Sequence, residues 1–138
     1  MGKKMLYFIA ILMTIITVVV FAVFAEDPGE RAAKNFLESY GWEVDEAIES
    51  SEIIIPKPFD MVYENYNKLQ LKAGLNLKPY EGAKGIRYTY KIENFPIYME
   101  SEVMGNVICI YGRPVGGDIM TVSADGFMES LNFLAENR

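Results

Sequence analysis

The chain has 138 residues, 51% of them hydrophobic, with one cysteine, no histidine and a formal net charge of −6. Without imidazole there are no Ser-His-Asp triads, Cys-His dyads or histidine-built zinc sites, and one cysteine forms no internal disulfide. The acidic balance argues against nucleic acid and anionic headgroups as partners of the bulk of the chain.

Met5 to Ala25 is an apolar run with no charge and only Thr14 and Thr17 as polar members. At ~1.5 Å per residue, a helix of that length crosses a hydrocarbon layer of ~30 Å. Lys3 and Lys4 precede the run, whereas Glu26, Asp27 and Glu30 follow it, so the positive-inside rule places the N-terminus in the cytoplasm. The expected organisation is a cytoplasmic tail at 1–4, a transmembrane helix or uncleaved signal anchor at 5–25, and one extracytoplasmic domain at 26–138. The alternative is a signal peptide cleaved after Ala25, with Val23-Phe24-Ala25 as the small-residue site. The run is longer than the ~7–15 residues of an ordinary signal core, which favours retention.

Asp27-Pro28 reads as a helix cap and first helical residue, with Ala32, Ala33, Phe36, Leu37 and Tyr40 at helical spacing and Gly41 as the left-handed stop. Trp42 to Asp45 alternates as a short strand, Glu46 to Ser51 reads as a turn, and Glu52 to Ile55 forms a second short strand ending at Pro56. The acidic run Glu43, Asp45, Glu46, Glu49 and Glu52 lacks the dense oxygen spacing of a calcium loop and reads as a solvated strand face.

Phe59 to Ala73 predicts a second helix whose stripe is Phe59, Val62, Tyr63, Tyr66, Leu69 and Ala73, closed by Gly74. Leu75 to Gly85 is a loop. Gly85 to Ile92 alternates cleanly, with Ile86, Tyr88, Tyr90 and Ile92 on one face. Val103 to Tyr111 is apolar on both faces and is expected at the sheet centre, with Cys109 a buried, inert thiol or, as the alternative, the site of an intermolecular bridge. Gly112-Arg113-Pro114 turns into a returning strand, Val115 to Val122. Asp125 is expected to cap a last helix carrying Phe127, Met128, Leu131 and Leu134. The fold class is α+β: about four to five antiparallel strands packed by two or three helices.

Several residues invite a functional reading. Gly116-Gly117-Asp118 resembles a phosphate loop but follows a tight turn rather than opening a helix, so a bulge or close backbone approach is the simpler account. Asp118 and Asp125 form a conceivable carboxylate pair for acid–base work on cell-wall material, with nothing to locate a substrate between them. Tyr80, Tyr88, Tyr90 and Tyr98 offer rigid contact area with polar tips, either in the core or as a recognition surface for a protein or glycan. No catalytic residue, metal ligand or cofactor site is assigned. The leading expectation is a non-enzymatic, membrane-anchored binding module whose contact residues come from these four tyrosines with Gly116, Gly117 and Asp118. The alternatives are the cell-wall enzyme and an accessory subunit that acts through the transmembrane helix.

Tyr40-Gly41-Trp42-Glu43-Val44, Ile55-Pro56, Phe59-Asp60, Tyr63-Glu64-Asn65-Tyr66-Asn67-Lys68-Leu69-Gln70, Leu77-Lys78-Pro79-Tyr80-Glu81-Gly82, Tyr88-Thr89-Tyr90 and Gly116-Gly117-Asp118 occur in an order that resembles a bacterial domain of unknown function, the family numbered 4830. The resemblance spans roughly Asn35 to Leu131. It implies a small extracytoplasmic domain behind an N-terminal apolar segment and brings no activity, cofactor or catalytic residue.

Overall fold

The computed structural model describes residues 2–25 and 27–137. Its first helix, α1 (Gly2–Phe24), contains the apolar run. The cleavage position before Glu26, and that residue's part in the charge asymmetry, lie outside the described residues. α2 (Pro28–Ser39) starts where the sequence says it must. Asp27 accepts a hydrogen bond from the Gly29 amide, Pro28 fills the first turn, and Gly41 at φ 90° takes the left-handed stop.

Five strands follow, in a single antiparallel sheet ordered β1 (Val44–Ile54), β2 (Lys84–Ile92), β3 (Val103–Ile110), β4 (Arg113–Thr121) and β5 (Met128–Glu129). α3 (Met61–Lys72) connects β1 to β2, and a short α4 (Phe133–Glu136) ends the described chain. The α+β class is the observed one, and β3 is the central strand, as its two apolar faces require.

Three expectations about element boundaries need correction. The two short strands and turn over Trp42–Ile55 are one strand, β1, with register shifts between Val44 and Ala47 and between Ala47 and Glu49. An edge strand needs ladder bonds on one side only, so its outer residues can be polar, and bulges absorb the broken alternation. Glu43, Asp45, Glu46, Glu49 and Glu52 are all exposed along this edge. The final helix expected from Asp125 is instead a turn and β5, and Asp125 is exposed on that turn rather than capping. The β3–β4 turn is Tyr111-Gly112, with φ 49° and 70°, not Gly112-Arg113-Pro114. This left-handed pair matches the twist of a two-residue hairpin, so Arg113 and Pro114 already belong to β4.

Because side chains alternate along a strand, the sheet has two dissimilar faces. α2 covers the first with Ala33 and Leu37, which pack on Tyr88, Tyr90, Val107, Cys109 and Ile119. Trp42 closes this core, donating from Nε1 to the Leu131 carbonyl at 2.9 Å. α3 lies on the second face, where Ile55, Phe59, Leu77, Ile108, Ile110 and Val115 form a smaller core. Most of the expected α3 stripe faces inward, with Phe59 buried and Tyr63, Tyr66, Leu69 and Ala73 half-buried, but Val62 is exposed, and the buried positions within the helix are the polar Asn67 and Gln70. Their amides explain why. Asn67 accepts from the Leu77 amide at 2.7 Å and donates to Asn76, folding the following loop back on the helix.

Gln70 does more. Its Nε2 donates to the Gly117 carbonyl at 2.9 Å, and its Oε1 accepts from the Gly117 amide at 2.8 Å. β5 reaches back along β4 only to Ile119. The Gln70 side chain thus serves as one more peptide unit on that edge, beyond the end of β5. Gly116 and Gly117 take the close-approach reading. A Cβ at 117 would meet the Asn106 carbonyl oxygen at 2.4 Å, and one at 116 would meet Leu77 at 2.9 Å.

Candidate functional site

On the α3 face, the register aligns Thr89 of β2, Asn106 of β3 and Asp118 of β4 in one row across the three middle strands. Each is polar and at most 9% exposed. Thr89 Oγ1 donates to Asn106 Oδ1 at 2.7 Å, and Asn106 Nδ2 donates to Asp118 Oδ1 at 3.0 Å. From α3, Tyr66 Oη donates to Asp118 Oδ2 at 2.6 Å. The chain of bonds ends on a carboxylate because a carboxylate is the acceptor that both donors can share.

Asn106 and Asp118 of this row floor a crevice of about 520 Å³ between α3 and the sheet. Val62, Tyr63, Tyr66 and Leu69 form its helix wall, and Met120 and Met128 its far wall. Arg87 reaches in from β2 beside the carboxylate. The crevice is therefore a largely apolar slot of aliphatic, thioether and tyrosine side chains with one carboxylate at its base. Burial holds Asp118 above the ordinary carboxylate value, against the pull of the Tyr66 and Asn106 hydrogen bonds and the Arg87 charge. Burial, and then the Asp118 charge, pushes the Tyr66 phenol well above its usual value, so it stays protonated and donating. Within the described residues that line the crevice, Asp118 is the one carboxylate.

Residues 36–119 match the profile of a domain of unknown function, DUF4830. The chain belongs to that family. No curated protein and no solved structure matches it. The DUF4830 span contains β1, β2, β3 and β4 up to Ile119, and with them Thr89, Asn106 and Asp118, but stops short of Met120, Met128 and β5.

The other contact candidates lie apart from it. Tyr88 and Tyr90 take the core reading, on the opposite face of the sheet. Their hydroxyls donate to Asp27 Oδ2 and to the Glu30 carbonyl, both at 2.6 Å, and so pin the first turn of α2. Tyr80 is half-buried in a single 3-10 turn (Lys78–Tyr80) against the smaller core. Tyr98 is 89% exposed in the β2–β3 loop. The four tyrosines do not form one surface. Gly116 and Gly117 are filled against by Leu77, Gln70 and Leu131 from within the chain. Of the seven candidates only Asp118 lines the crevice. Tyr66, Arg87, Thr89 and Asn106 join it there or in the hydrogen-bonded row beneath it, and sequence reasoning passed over them as site residues. A signal was present: Asn106 and Asp118 are single polar residues inside apolar central strands, where a buried polar group must be partnered.

Proposed function

We propose that this DUF4830 chain is a membrane-anchored, extracytoplasmic binding module without catalysis, and that its ligand seats in the crevice above Asp118. The observation that carries the reading is the crevice itself: a largely apolar slot of ligand size, walled by aliphatic, methionine and tyrosine side chains, over a buried, hydrogen-bonded carboxylate flanked by Arg87. It suits an aliphatic body with a hydrogen-bonding head, such as a partner side chain or a small wall component. α1 supports the anchor, with an apolar span at Gly2–Ala22 of mean hydropathy 2.7 and the lysine pair at its start. The chemistry favours binding over hydrolysis, because acid–base work by paired carboxylates needs a second carboxylate at the same cleft and Asp125 sits on an exposed turn outside it.

The test is photo-crosslinking of the full chain in its membrane. A photoreactive residue replaces Val62 on the crevice rim or, as a reference, Leu71, which is exposed on the same helix. A species captured from position 62, absent from position 71 and lost in Asp118→Asn is the expected result. Equal capture at both positions, or capture indifferent to Asp118→Asn, overturns the crevice as the binding site. Capture that survives replacement of α1 by an unrelated span rules out the accessory-helix alternative. A turnover on wall fragments that Asp118→Asn abolishes while the domain stays folded would restore the enzyme.

A further inference from the structure

The sheet has two ends, and they differ in charge and polarity. At one end lie the close of β1, the start of β2 and the Tyr111-Gly112 hairpin. A second groove opens there, about 880 Å³, with Asp27 on its rim and Ile54, Ile86 and Tyr111 among its lining. These three apolar side chains are 63%, 38% and 97% exposed. Lys84 lines the groove too, Arg113 begins β4 next to Gly112, and both are exposed; Glu52, opposite Ile86, is the acid of the lining besides Asp27. The opposite end carries the acids: Glu43, Asp45, Glu46, Glu93, Glu100, Glu102 and Asp125 are exposed there.

The chain itself says which end meets the membrane. α1 ends at Phe24 and Asp27 caps α2, so the tether is a few residues long and spans on the order of 10 Å at most. Asp27 is fixed to the hairpin end by its bond from Tyr88. α2 then runs away from that end, delivering Leu37 against Gly105 and the Gly41 carbonyl to Asn94 at the acidic end.

We infer that the hairpin end of the sheet rests on the bilayer surface, with the Tyr111 ring at the tip reaching the boundary between headgroups and acyl chains, Ile54 and Ile86 behind it at headgroup depth, and Lys84 and Arg113 among lipid phosphates. Tyrosine favours that boundary because its ring is apolar and its hydroxyl wet, and basic residues beside it gain from anionic lipid. The acidic end then points away from a surface that would repel it. This inference rests on the reading of α1 as a retained anchor. It makes the domain an oriented module, with the β3–β4 hairpin as its foot.

Full-length chain in vesicles of phosphatidylcholine and phosphatidylglycerol tests it. An environment-sensitive dye is placed at Tyr111→Cys or, as reference, at Tyr98→Cys on the acidic-end loop, in a Cys109→Ala background. Flotation after an alkaline wash reads the anchor separately. A dye at 111 that is blue-shifted and quenched several-fold more strongly by lipid-borne quencher than one at 98, with the difference reduced in Lys84→Glu/Arg113→Glu, is the expected result. Equal, water-like emission at both sites in a chain that floats overturns the docking and leaves the anchor standing. A chain that does not float overturns both.

Discussion

The two faces of the sheet are held by different physics. Beneath α2 the sheet face is an apolar core whose polar contacts include hydroxyl, indole and thiol groups reaching backbone or a cap: Tyr88 to Asp27, Tyr90 to Glu30, Trp42 to Leu131, Cys109 to Gly29; it opens only past Asp27, into the groove at the hairpin end. The α3 face is clamped by side-chain amides and a carboxylate, and part of it is left open as the crevice. An apolar core is nondirectional and tolerates repacking, whereas a polar clamp fixes one geometry and is costly when half-broken. A face meant to receive another molecule cannot be filled with its own apolar side chains. Amide clamps hold α3 at the crevice edge without occupying it.

The comparison is broken most severely by Trp42→Ala. The ring is 1% exposed and stacks 6.1 Å from Phe95, so its loss empties the centre of the larger core. We expect a loss of about 3–5 kcal/mol in denaturant unfolding. Trp42→Phe keeps most of the ring volume and isolates the bond to Leu131, at about 1 kcal/mol. If the two variants were equally destabilised, the apolar account of this face would fail.

Gln70→Met is the matching cut on the other face. It keeps the side-chain volume and removes both bonds to Gly117, leaving a buried amide and carbonyl at the β4 edge. The expected cost is about 2–4 kcal/mol, below Trp42→Ala although one residue again is changed. Faster amide exchange should appear first at Gly117 and spread along β4. A neutral Gln70→Met would mean that the β4 edge does not need its substitute strand.

This contrast also decides what the sequence could reveal. Elements on the α2 face follow from period and caps: Asp27-Pro28, the Ala33/Leu37 spacing and the Tyr88/Tyr90 alternation each point to one structure. On the α3 face the same reasoning finds Phe59, Tyr63, Tyr66, Leu69 and Ala73 but misses the most buried helical positions, Asn67 and Gln70, because they count as polar, and adds the exposed Val62. β1 reads as two strands because an edge strand does not need to alternate, and β5 reads as a helix because two paired residues carry no period at all. Asp118 stood out by its glycines, for a reason unrelated to them: the glycines admit Leu77, Gln70 and Leu131, while the carboxylate faces the crevice. The partners that give Asp118 its character come from three other elements, and single-sequence spacing carries no information about such cross-strand register.

The smallest expected effect is also the most specific to the crevice. Burial raises the Asp118 pKa in the folded chain, so the native state binds that proton more tightly than the unfolded one. A group of this kind contributes stability that is fully present below its unfolded pKa and is lost as pH rises through its folded value. Asp118→Asn does not titrate and nearly preserves the shape: its Oδ1 can accept from Asn106, and its Nδ2 can donate to Tyr66 Oη. Unfolding midpoints of the two proteins, compared from the ordinary carboxylate range upward, should therefore diverge, with the wild type losing ground as pH rises through the raised value. Parallel curves would mean that Asp118 titrates like a solvated carboxylate and that the crevice floor is wet. Divergence in the opposite direction would mean that the Tyr66 and Asn106 bonds and Arg87 outweigh burial, making the floor a preformed anion that any ligand must meet with positive charge. A ligand that closes the crevice should enlarge the expected divergence, since it removes the remaining water from Asp118 and, unless it brings a cation of its own, raises that pKa further.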